Sequence, residues 1–414
     1  MKLFVLHFVL TIIVSVFSYD SSKYSGYKVY QVTPKSLYEA YILKEFEHDE
    51  HFDFWTEIRS INLPVDIMVS PLAQNNFEAI MKSANIDYFV NIDDVEASLQ
   101  NEENTSGRSI VTRGSVTFSD FMRHDDINAY LEQLAQDYPQ IVSIESIGIS
   151  FEGRDLLLVR ISSGGSNKPT IYVQAAIHAR EWIAPPVALY IINQLVENPD
   201  NVNLYEDVDW VVIPVVNPDG YEYTHTTERF WRKTRSTGTI CYGIDGNRNF
   251  DALWGTVGAS SWQCDITYRG HKAFSEVETQ AVRDYILEHK DDIKLFLDVH
   301  SFGRWLLYPY GYSDDEPDDV EELRTLGRLF NDAIHSVRGL NYTVLSFASG
   351  LYYASGTSVD WAKDIGIELA YTIELPSGGT GFDPPSSDIE PVVEETWEGF
   401  KAFHSYIVDK FVTN

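Results

Sequence analysis

The sequence predicts an α/β protein in which helices cover both faces of one sheet, preceded by a smaller domain of alternating strands and helices. Two features support this fold class. Several short segments are almost continuously hydrophobic, as strands covered on both faces should be. Segments with helical periodicity alternate with them along the chain. With 414 residues, the chain is long enough for two or three domains.

The smaller domain is predicted within residues 26–100. Strand-like segments occur at Tyr27–Val32, Pro64–Val69 and Tyr88–Val90. Helical spacing occurs at Ser36–Phe46, Asn75–Ala84 and Asp93–Leu99. The polar segment Asn101–Gly107 then leads to Arg108 and Arg113, so we expect an exposed linker with two tryptic sites.

The larger α/β unit is predicted from about residue 114 onward. Its strand candidates are the apolar segments Thr170–Ala176, Val208–Val216, Ile293–Val299 and Ile365–Leu375. Its helix candidates are Ile127–Tyr138, Pro185–Val196, Glu276–His289, Val320–Val337 and Glu395–Phe411. These elements together indicate one sheet with helices on both sides.

The N-terminus resembles a secretory signal peptide. Met1 and Lys2 form a charged start, Leu3–Phe17 is largely apolar, and Val16 and Ser18 are small residues of the kind that precede a cleavage site. The apolar run is short for a membrane span. We therefore expect residues 1–18 to be removed and the product to be secreted into the extracellular space.

The net charge restricts the possible binding partners, and the two cysteines indicate a disulfide. The chain has 62 acidic and 31 basic side chains, a net charge of −31, which argues against nucleic acid or an anionic membrane as a partner. Cys241 and Cys264 are the only cysteines, and in a secreted chain such a pair indicates one disulfide more readily than a metal site. Asn104 and Asn341 lie in N-glycosylation motifs.

A metal site is indicated at the ends of two predicted strands. His178 and Glu181 follow the strand Thr170–Ala176, at a spacing that lets both face one side of a turn. His300 follows the strand Ile293–Val299. Ligands in α/β sheets collect at such strand ends, and catalytic zinc takes three protein ligands with one open position. Each motif alone could instead be a surface turn or a structural histidine, but their equivalent positions favour a shared metal.

Other residues fit the needs of a zinc hydrolase. Glu374 nearly closes the strand Ile365–Leu375, where it could accept a proton from water or simply be a solvated strand end. Arg232 and Arg248 could grip a carboxylate or an oxyanion, with surface ion pairing as the alternative for each.

Eight segments occur in a recognisable order between residue 114 and the C-terminus: His178-Ala-Arg-Glu-Trp, Asn217-Pro-Asp-Gly-Tyr, Trp231-Arg-Lys-Thr-Arg, Asp245-Gly-Asn-Arg-Asn, His300-Ser-Phe, Leu307-Tyr-Pro-Tyr-Gly-Tyr, Ala354-Ser-Gly-Thr-Ser-Val-Asp-Trp and Thr372-Ile-Glu-Leu. They resemble the pancreatic-type zinc metallocarboxypeptidases, the A and B group of digestive procarboxypeptidases. The resemblance implies a mixed central sheet with helices on both faces over residues 114–414. It also implies a ferredoxin-like α+β propeptide domain over residues 19–113.

The same resemblance implies roles for individual residues. One zinc ion would be bound by His178, Glu181 and His300, with Asp245 orienting His178. Glu374 would be the general base, and Arg232 would polarise the scissile carbonyl. Substrate contacts would come from the terminal-carboxylate clasp and its surroundings: Asn247, Arg248, Tyr352, Arg180 and, at an outer subsite, Phe302. The disulfide Cys241–Cys264 also matches the family.

Specificity and latency follow from two further points of the resemblance. Val359 stands at the family's pocket base, where an acidic residue selects Lys or Arg, so we expect release of aliphatic or aromatic C-terminal residues. Gly311 and Thr372 add no charge to that pocket. Phe302 stands where many members have tyrosine.

The pro-form should be inactive until a trypsin-like protease cuts at Arg108 or Arg113, and we expect a monomer that acts on peptide or protein C-termini.

Two other functions are compatible with parts of the pattern. A non-catalytic peptide-binding protein of the same fold would normally have lost a metal ligand or the base, and here all are present. An exopeptidase that cuts from the N-terminus would need an acidic anchor for an ammonium group, whereas Asn247 and Arg248 supply donors.

Overall fold

The structure is a computed structural model that describes residues 19–58, 61–105, 112–377 and 381–413. The predicted signal peptide and Arg108 lie outside the described residues, as does the side chain of Asn104. Arg113 and Asn341 are exposed. Among the described helices, none has the length and apolar composition that a membrane crossing requires.

The N-terminal part forms a four-stranded antiparallel sheet in the order β2-β3-β1-β4. Its strands are β1 (Lys28–Val32), β2 (Phe52–Phe54), β3 (Val65–Val69) and β4 (Tyr88–Ile92). Its helices are α1 (Leu37–Lys44), α2 (Gln74–Ala84) and α3 (Val95–Thr105). Phe77 and Met81 of α2 pack against Tyr30 and Phe52 in a core separate from the larger one. This arrangement agrees with the predicted α+β propeptide fold.

The C-terminal part is built on an eight-stranded mixed sheet in the order β11-β10-β12-β9-β7-β8-β6-β5. Its strands are β5 (Val142–Ile149), β6 (Asp155–Ile161), β7 (Thr170–Ala175), β8 (Asp209–Ile213), β9 (Ile293–Ser301), β10 (Trp305–Tyr308), β11 (Thr343–Ser346) and β12 (Leu369–Leu375). The four central strands, β8, β7, β9 and β12, are parallel to one another. Their carboxyl ends therefore share one edge of the sheet.

Helices cover both faces of this sheet, as predicted. They are α4 (His124–Asp137), α5 (Ala184–Val196), α6 (Pro218–Thr226), α7 (Val277–His289), α8 (Val320–Arg338), α9 (Phe347–Gly350), α10 (Ser358–Asp364) and α11 (Ile389–Phe411). The apolar core on one face includes side chains of α4, α5, α8 and α11. The core on the other face includes side chains of α7 and α10. The mixed sheet and its two helical layers confirm the predicted fold class.

Several element boundaries differ from the prediction. The predicted strand Ile365–Leu375 begins only at Leu369, because Ile365 ends α10 and the chain turns at Gly366 with a φ of 100°. The last helix begins at Ile389, six residues before its predicted start at Glu395. Polar residues in its first turns conceal that start in the sequence, since Glu390 and Glu394 interrupt the apolar pattern.

Candidate active site

Three metal-ligating side chains converge at the carboxyl edge of the parallel strands. His178 and Glu181 follow β7, and His300 is the penultimate residue of β9. His178 Nδ1 lies 2.7 Å from one Glu181 oxygen and 3.1 Å from His300 Nδ1. The other Glu181 oxygen lies 3.0 Å from His300 Nδ1. Within the part of the chain that the structure describes, this buried trio is the one group arranged to hold a metal ion.

The donor set fits zinc. Nε2 of His178 lies 3.1 Å from Asp245 Oδ1, and Nε2 of His300 lies 3.1 Å from Asp298 Oδ2. The carboxylate beside each Nε2 favours a proton on that nitrogen, and each Nδ1 then has a free lone pair. His300 Nε2 also lies 3.3 Å from Asn247 Nδ2. Two imidazole lone pairs and a carboxylate thus meet at one point. Ligand atoms about 2.0–2.1 Å from a tetrahedral zinc lie about 3.3 Å apart, so these side chains need to separate by only about half an ångström to admit the ion.

Asp245 links the metal ligands to two arginines. Its Oδ2 accepts hydrogen bonds from Arg232 Nε at 3.1 Å and Nη2 at 2.9 Å, and it lies 4.0 Å from Arg248 Nη1. Burial alone would raise the pKa of the Asp245 carboxyl. The positive charge of Arg232 and the contacts with His178 and Arg248 outweigh burial and hold that pKa well below its usual range. Asp245 is therefore ionised and can fix the ring of His178.

The predicted base lies beside the metal ligands. Glu374 pairs with His300 in the parallel register of β12 and β9, so the two side chains project from the same side of the sheet. Glu374 is half-buried and lines one cavity together with His178, Glu181 and Arg232. Strand pairing thus brings Glu374 to the metal cluster, although it lies 74 positions after His300 in the chain.

Asn247 and Arg248 occupy a tight turn, Gly246–Arg248, that follows Asp245. Asn247 Oδ1 accepts a hydrogen bond from the backbone N–H of Ser358 at 2.8 Å. Arg248 is fully buried, and its Nη2 lies 3.2 Å from the Tyr352 hydroxyl. Asn247 and Tyr352 both line the cavity of the metal cluster. The structure therefore brings the three predicted carboxylate and pocket residues together.

Arg180 and Phe302 lie on another wall of the same cavity. The Arg180 guanidinium carbon is 4.1 Å from the ring centroid of Phe382, and Phe302 packs edge-on against that ring at 4.9 Å. Phe382 was not among the sequence-based candidates. No motif marks it, because its contacts with Arg180 and Phe302 join segments that are distant in the sequence.

Val359 is buried in the apolar core on the α10 face of the sheet, together with Leu307, Phe347 and Ala354. It is not among the described residues that line the cavity of the metal cluster. It follows Ser358, whose backbone N–H donates to Asn247. Val359 thus lies one residue from the predicted carboxylate clasp, in apolar surroundings.

The predicted disulfide Cys241–Cys264 is confirmed. It closes a loop that contains the segment Asp245–Arg248 and so restricts the conformations open to that segment. Lys233, eight residues before Cys241, donates from its Nζ to the carbonyls of Gln263 and Asp265, on either side of Cys264.

The N-terminal sheet covers this site. Residues Phe54–Glu57, which end β2 and follow it, line the cavity of the metal cluster. Three carboxylates of the N-terminal part pair with three arginines of the C-terminal part: Asp53–Arg180 at 3.1 Å, Glu57–Arg248 at 3.0 Å and Glu102–Arg229 at 2.7 Å. Sequence reasoning missed these acidic residues, because surface-like Asp and Glu carry no motif.

Fold and site together define a metal-dependent hydrolase with an N-terminal segment over its cleft. Comparison with known families identifies it further: the zinc carboxypeptidase family matches residues 127–399, and the carboxypeptidase activation peptide matches residues 30–102. The chain belongs to the zinc carboxypeptidase family, and it is a metallocarboxypeptidase made as a zymogen.

Known relatives carry both A and B names. The chain is 45% identical to carboxypeptidase B of Astacus astacus over 294 residues, which are 70% of this chain and 97% of that protein. It is 36% identical to carboxypeptidase A4 of Mus musculus over 94% of this chain and 95% of that protein. A solved carboxypeptidase A from Helicoverpa armigera has 34% identity and a TM-score of 0.87, covering 94% of this chain and 99% of that one. Similarity alone therefore does not assign the A or B preference.

Proposed function

We propose that the protein is a secreted, monomeric, single-zinc carboxypeptidase that releases aliphatic and aromatic residues from peptide C-termini. The observation that carries this proposal is a single cavity lined by the ligand trio, Glu374, Arg232 and Asn247, with uncharged Val359 nearby. Export is supported by the apolar N-terminal segment of residues 1–18. The domain limits are proposed as residues 19–113 for the propeptide and 114–414 for the enzyme.

The proposed chemistry is hydrolysis of the last peptide bond. Zinc, when bound by His178, Glu181 and His300, supplies a Lewis acid that lowers the pKa of a bound water toward neutrality. Glu374 then accepts the proton of the attacking water and delivers it to the departing amine. Arg232 donates hydrogen bonds to the oxygen that gains negative charge, and its own orientation is fixed by Asp245.

Asn247 and Arg248 are proposed to restrict cleavage to the C-terminus. A free terminal carboxylate can accept hydrogen bonds from the Asn247 amide and the Arg248 guanidinium. A peptide segment in the middle of a chain offers no carboxylate to this pair. Tyr352 is proposed to close over the bound residue, which its position 3.2 Å from Arg248 Nη2 supports. Arg180 and Phe302 would contact residues upstream of the scissile bond.

Latency is supported by the contacts of the N-terminal sheet. The Glu57 carboxylate contacts Arg248 Nη2, a nitrogen that we assign to the substrate carboxylate. Burial raises the pKa of the Glu57 carboxyl, and the nearby charges of Arg248 and Arg232 offset this only in part. The Asp53 carboxylate likewise accepts hydrogen bonds from Nη1 of Arg180, which we also assign to substrate binding. Substrate and propeptide thus compete for the same cationic groups.

Trypsin treatment of the purified pro-form should therefore raise activity at least about tenfold, because cleavage in the linker lets the covering domain leave. Arg113 is exposed and suits such a cut. The measurement is a time course of hydrolysis of a blocked dipeptide together with N-terminal sequencing of the products. A new N-terminus at Ser109 or Gly114 is expected. Equal activity before and after complete cleavage would contradict the latency proposal.

The apolar preference rests on Val359. A lysine or arginine side chain in an apolar pocket would lack a charged partner, which costs about 3 kcal/mol or more. Wild-type enzyme should therefore favour peptides ending in Leu or Phe over those ending in Lys by roughly 100-fold in kcat/KM. Peptides that differ only in the last residue (Leu, Phe, Lys or Glu) provide the measurement.

Val359→Asp tests the same assignment in the opposite direction. The introduced carboxylate should shift the preference toward Lys, whereas the neutral isostere Val359→Asn is the matched control and should not. If wild-type enzyme prefers Lys, or if Val359→Asp gains no preference for Lys over Leu, then Val359 does not set specificity.

A further inference from the structure

Asp298 is a buried carboxylate next to the metal cluster that the proposed chemistry does not use. It lies on β9 two residues before His300, so both side chains project from the same face of the strand. It is fully buried, and its Oδ2 lies 3.1 Å from His300 Nε2. The Ser358 hydroxyl donates a hydrogen bond to the same oxygen. His300 Nε2 also lies 3.3 Å from Asn247 Nδ2. Asp298 Oδ1 has no hydrogen-bond partner within the described part of the chain.

The surroundings of Asp298 differ from those of Asp245, the other carboxylate that contacts a metal-binding histidine. Asp245 faces the guanidinium groups of Arg232 and Arg248. The described side-chain contacts of Asp298 are with His300 Nε2 and the Ser358 hydroxyl. A buried carboxylate with neutral donors and one unsatisfied oxygen is costly. A dication held by His300 would offset that cost, because it would sit on the opposite nitrogen of the same ring.

Asp298 also connects the metal ligand to the substrate clasp. Ser358 begins α10, and while its hydroxyl donates to Asp298, its backbone N–H donates to Asn247 Oδ1 at 2.8 Å. A single carboxylate thus anchors His300 directly and the first turn of α10 through Ser358. Any displacement of Asp298 would move both a zinc ligand and a residue of the proposed carboxylate site.

We propose that Asp298 is a positioning residue. It keeps the proton of His300 on Nε2, so that Nδ1 faces the metal. Through Ser358 it also fixes the position of Asn247 relative to the metal ligands. This inference rests on the proposed roles of His300 and Asn247. Zinc affinity can be measured without turnover, so its failure is distinguishable from a failure of the proposed peptide specificity.

The test is the zinc affinity of full-length Asp298→Asn, measured by competition with a chelator of known affinity. The variant is expected to bind zinc about 10- to 100-fold more weakly than wild type. The thermal midpoint of its zinc-free form should stay close to that of wild-type zinc-free protein, because asparagine keeps the shape of the side chain and an oxygen that can accept the Ser358 hydrogen bond. If Asp298 only stabilised the fold, its replacement would lower the thermal midpoint of the zinc-free form together with the zinc affinity.

Asp209→Asn is the matched control. Asp209 is also a buried strand carboxylate, but it pairs with Arg160 and Lys168 at the end of β8 opposite the metal cluster. The Asp209→Asn variant should be less stable than wild type and should keep wild-type zinc affinity. If Asp298→Asn does not fold, Asp298→Ser, which retains a hydroxyl acceptor, is measured instead and the same 10- to 100-fold loss is expected.

Three outcomes would overturn the proposal. The first is zinc affinity of Asp298→Asn within twofold of wild type. The second is an equal loss of zinc affinity in Asp209→Asn, which would reflect general damage to the sheet. The third is a changed ratio of Lys to Leu release with unchanged zinc affinity, which would place the Asp298 carboxylate in the substrate pocket instead.

Discussion

Replacing Glu374 with glutamine should lower kcat of the activated enzyme by about 10²- to 10⁴-fold, the usual contribution of a general base. Glutamine has nearly the same shape but cannot accept the proton of the attacking water. The residue lies opposite His300 in the strand register and outside the ligand trio, so the zinc content should stay that of wild type. KM should change little, because terminal-carboxylate binding is assigned to other residues. Steady-state kinetics and metal analysis of the same sample provide the measurement.

Glu368→Gln is the matched control for this change. Glu368 immediately precedes β12 and pairs with Lys410 at the other end of that strand, and its side chain is 41% exposed. Its loss should leave kcat within about twofold, since surface ion pairs contribute little. A near-normal kcat in Glu374→Gln, with full activation of the sample verified, would show that the base is another residue.

Replacing Arg248 with methionine should reduce kcat/KM for a free C-terminus by about 10- to 150-fold. A hydrogen bond to a charged group contributes about 1.5–3 kcal/mol, and the buried substrate carboxylate would lose its main partner. Arg248 Nη1 and Nε donate to the carbonyls of Asn247 and Gly258, so part of the effect will appear as lower stability. Peptide kinetics must therefore be accompanied by the thermal midpoint of each variant.

Arg248→Lys separates charge from geometry. Lysine keeps the positive charge but cannot form two parallel hydrogen bonds with a carboxylate. We expect a loss intermediate between wild type and Arg248→Met. If Arg248→Met cleaves free and amidated C-termini at the same ratio as wild type, Arg248 is not part of the carboxylate clasp.

The sequence was sufficient for several of the strands that burial dominates, although β6, with four of its seven residues buried, was not predicted. β7 and β9 are buried along nearly their whole length, and their hydrophobic runs predicted them. β5 was missed because most of its residues are partly or fully exposed, and β10 and β11 were missed because each has only four residues. Such strands are stabilised by pairing with neighbouring strands. The hydrophobic periodicity of a single segment does not reveal that pairing.

Site residues could be predicted where a side chain suited to metal binding or proton transfer occurs at the end of a predicted strand. His178, Glu181, His300 and Glu374 all lie at or just beyond the carboxyl ends of parallel strands, as their positions in the sequence indicated. Asp298 was missed, although its spacing of two from His300 on a strand places both on one face and could have marked it. The other residues that were missed depend on contacts between distant segments. Glu57, for example, meets Arg248 across 191 residues of chain.

The most direct test of the proposed function is mass spectrometry of the products formed by the trypsin-activated enzyme from one peptide ending in Leu, supplied as the free acid and as the C-terminal amide. The proposed clasp of Asn247 and Arg248 requires a terminal carboxylate. Free leucine should therefore appear from the acid, with the amide cleaved at least about 10-fold more slowly. Equal cleavage of both peptides, or internal fragments from either one, would contradict the proposal that Asn247 and Arg248 restrict cleavage to the C-terminus.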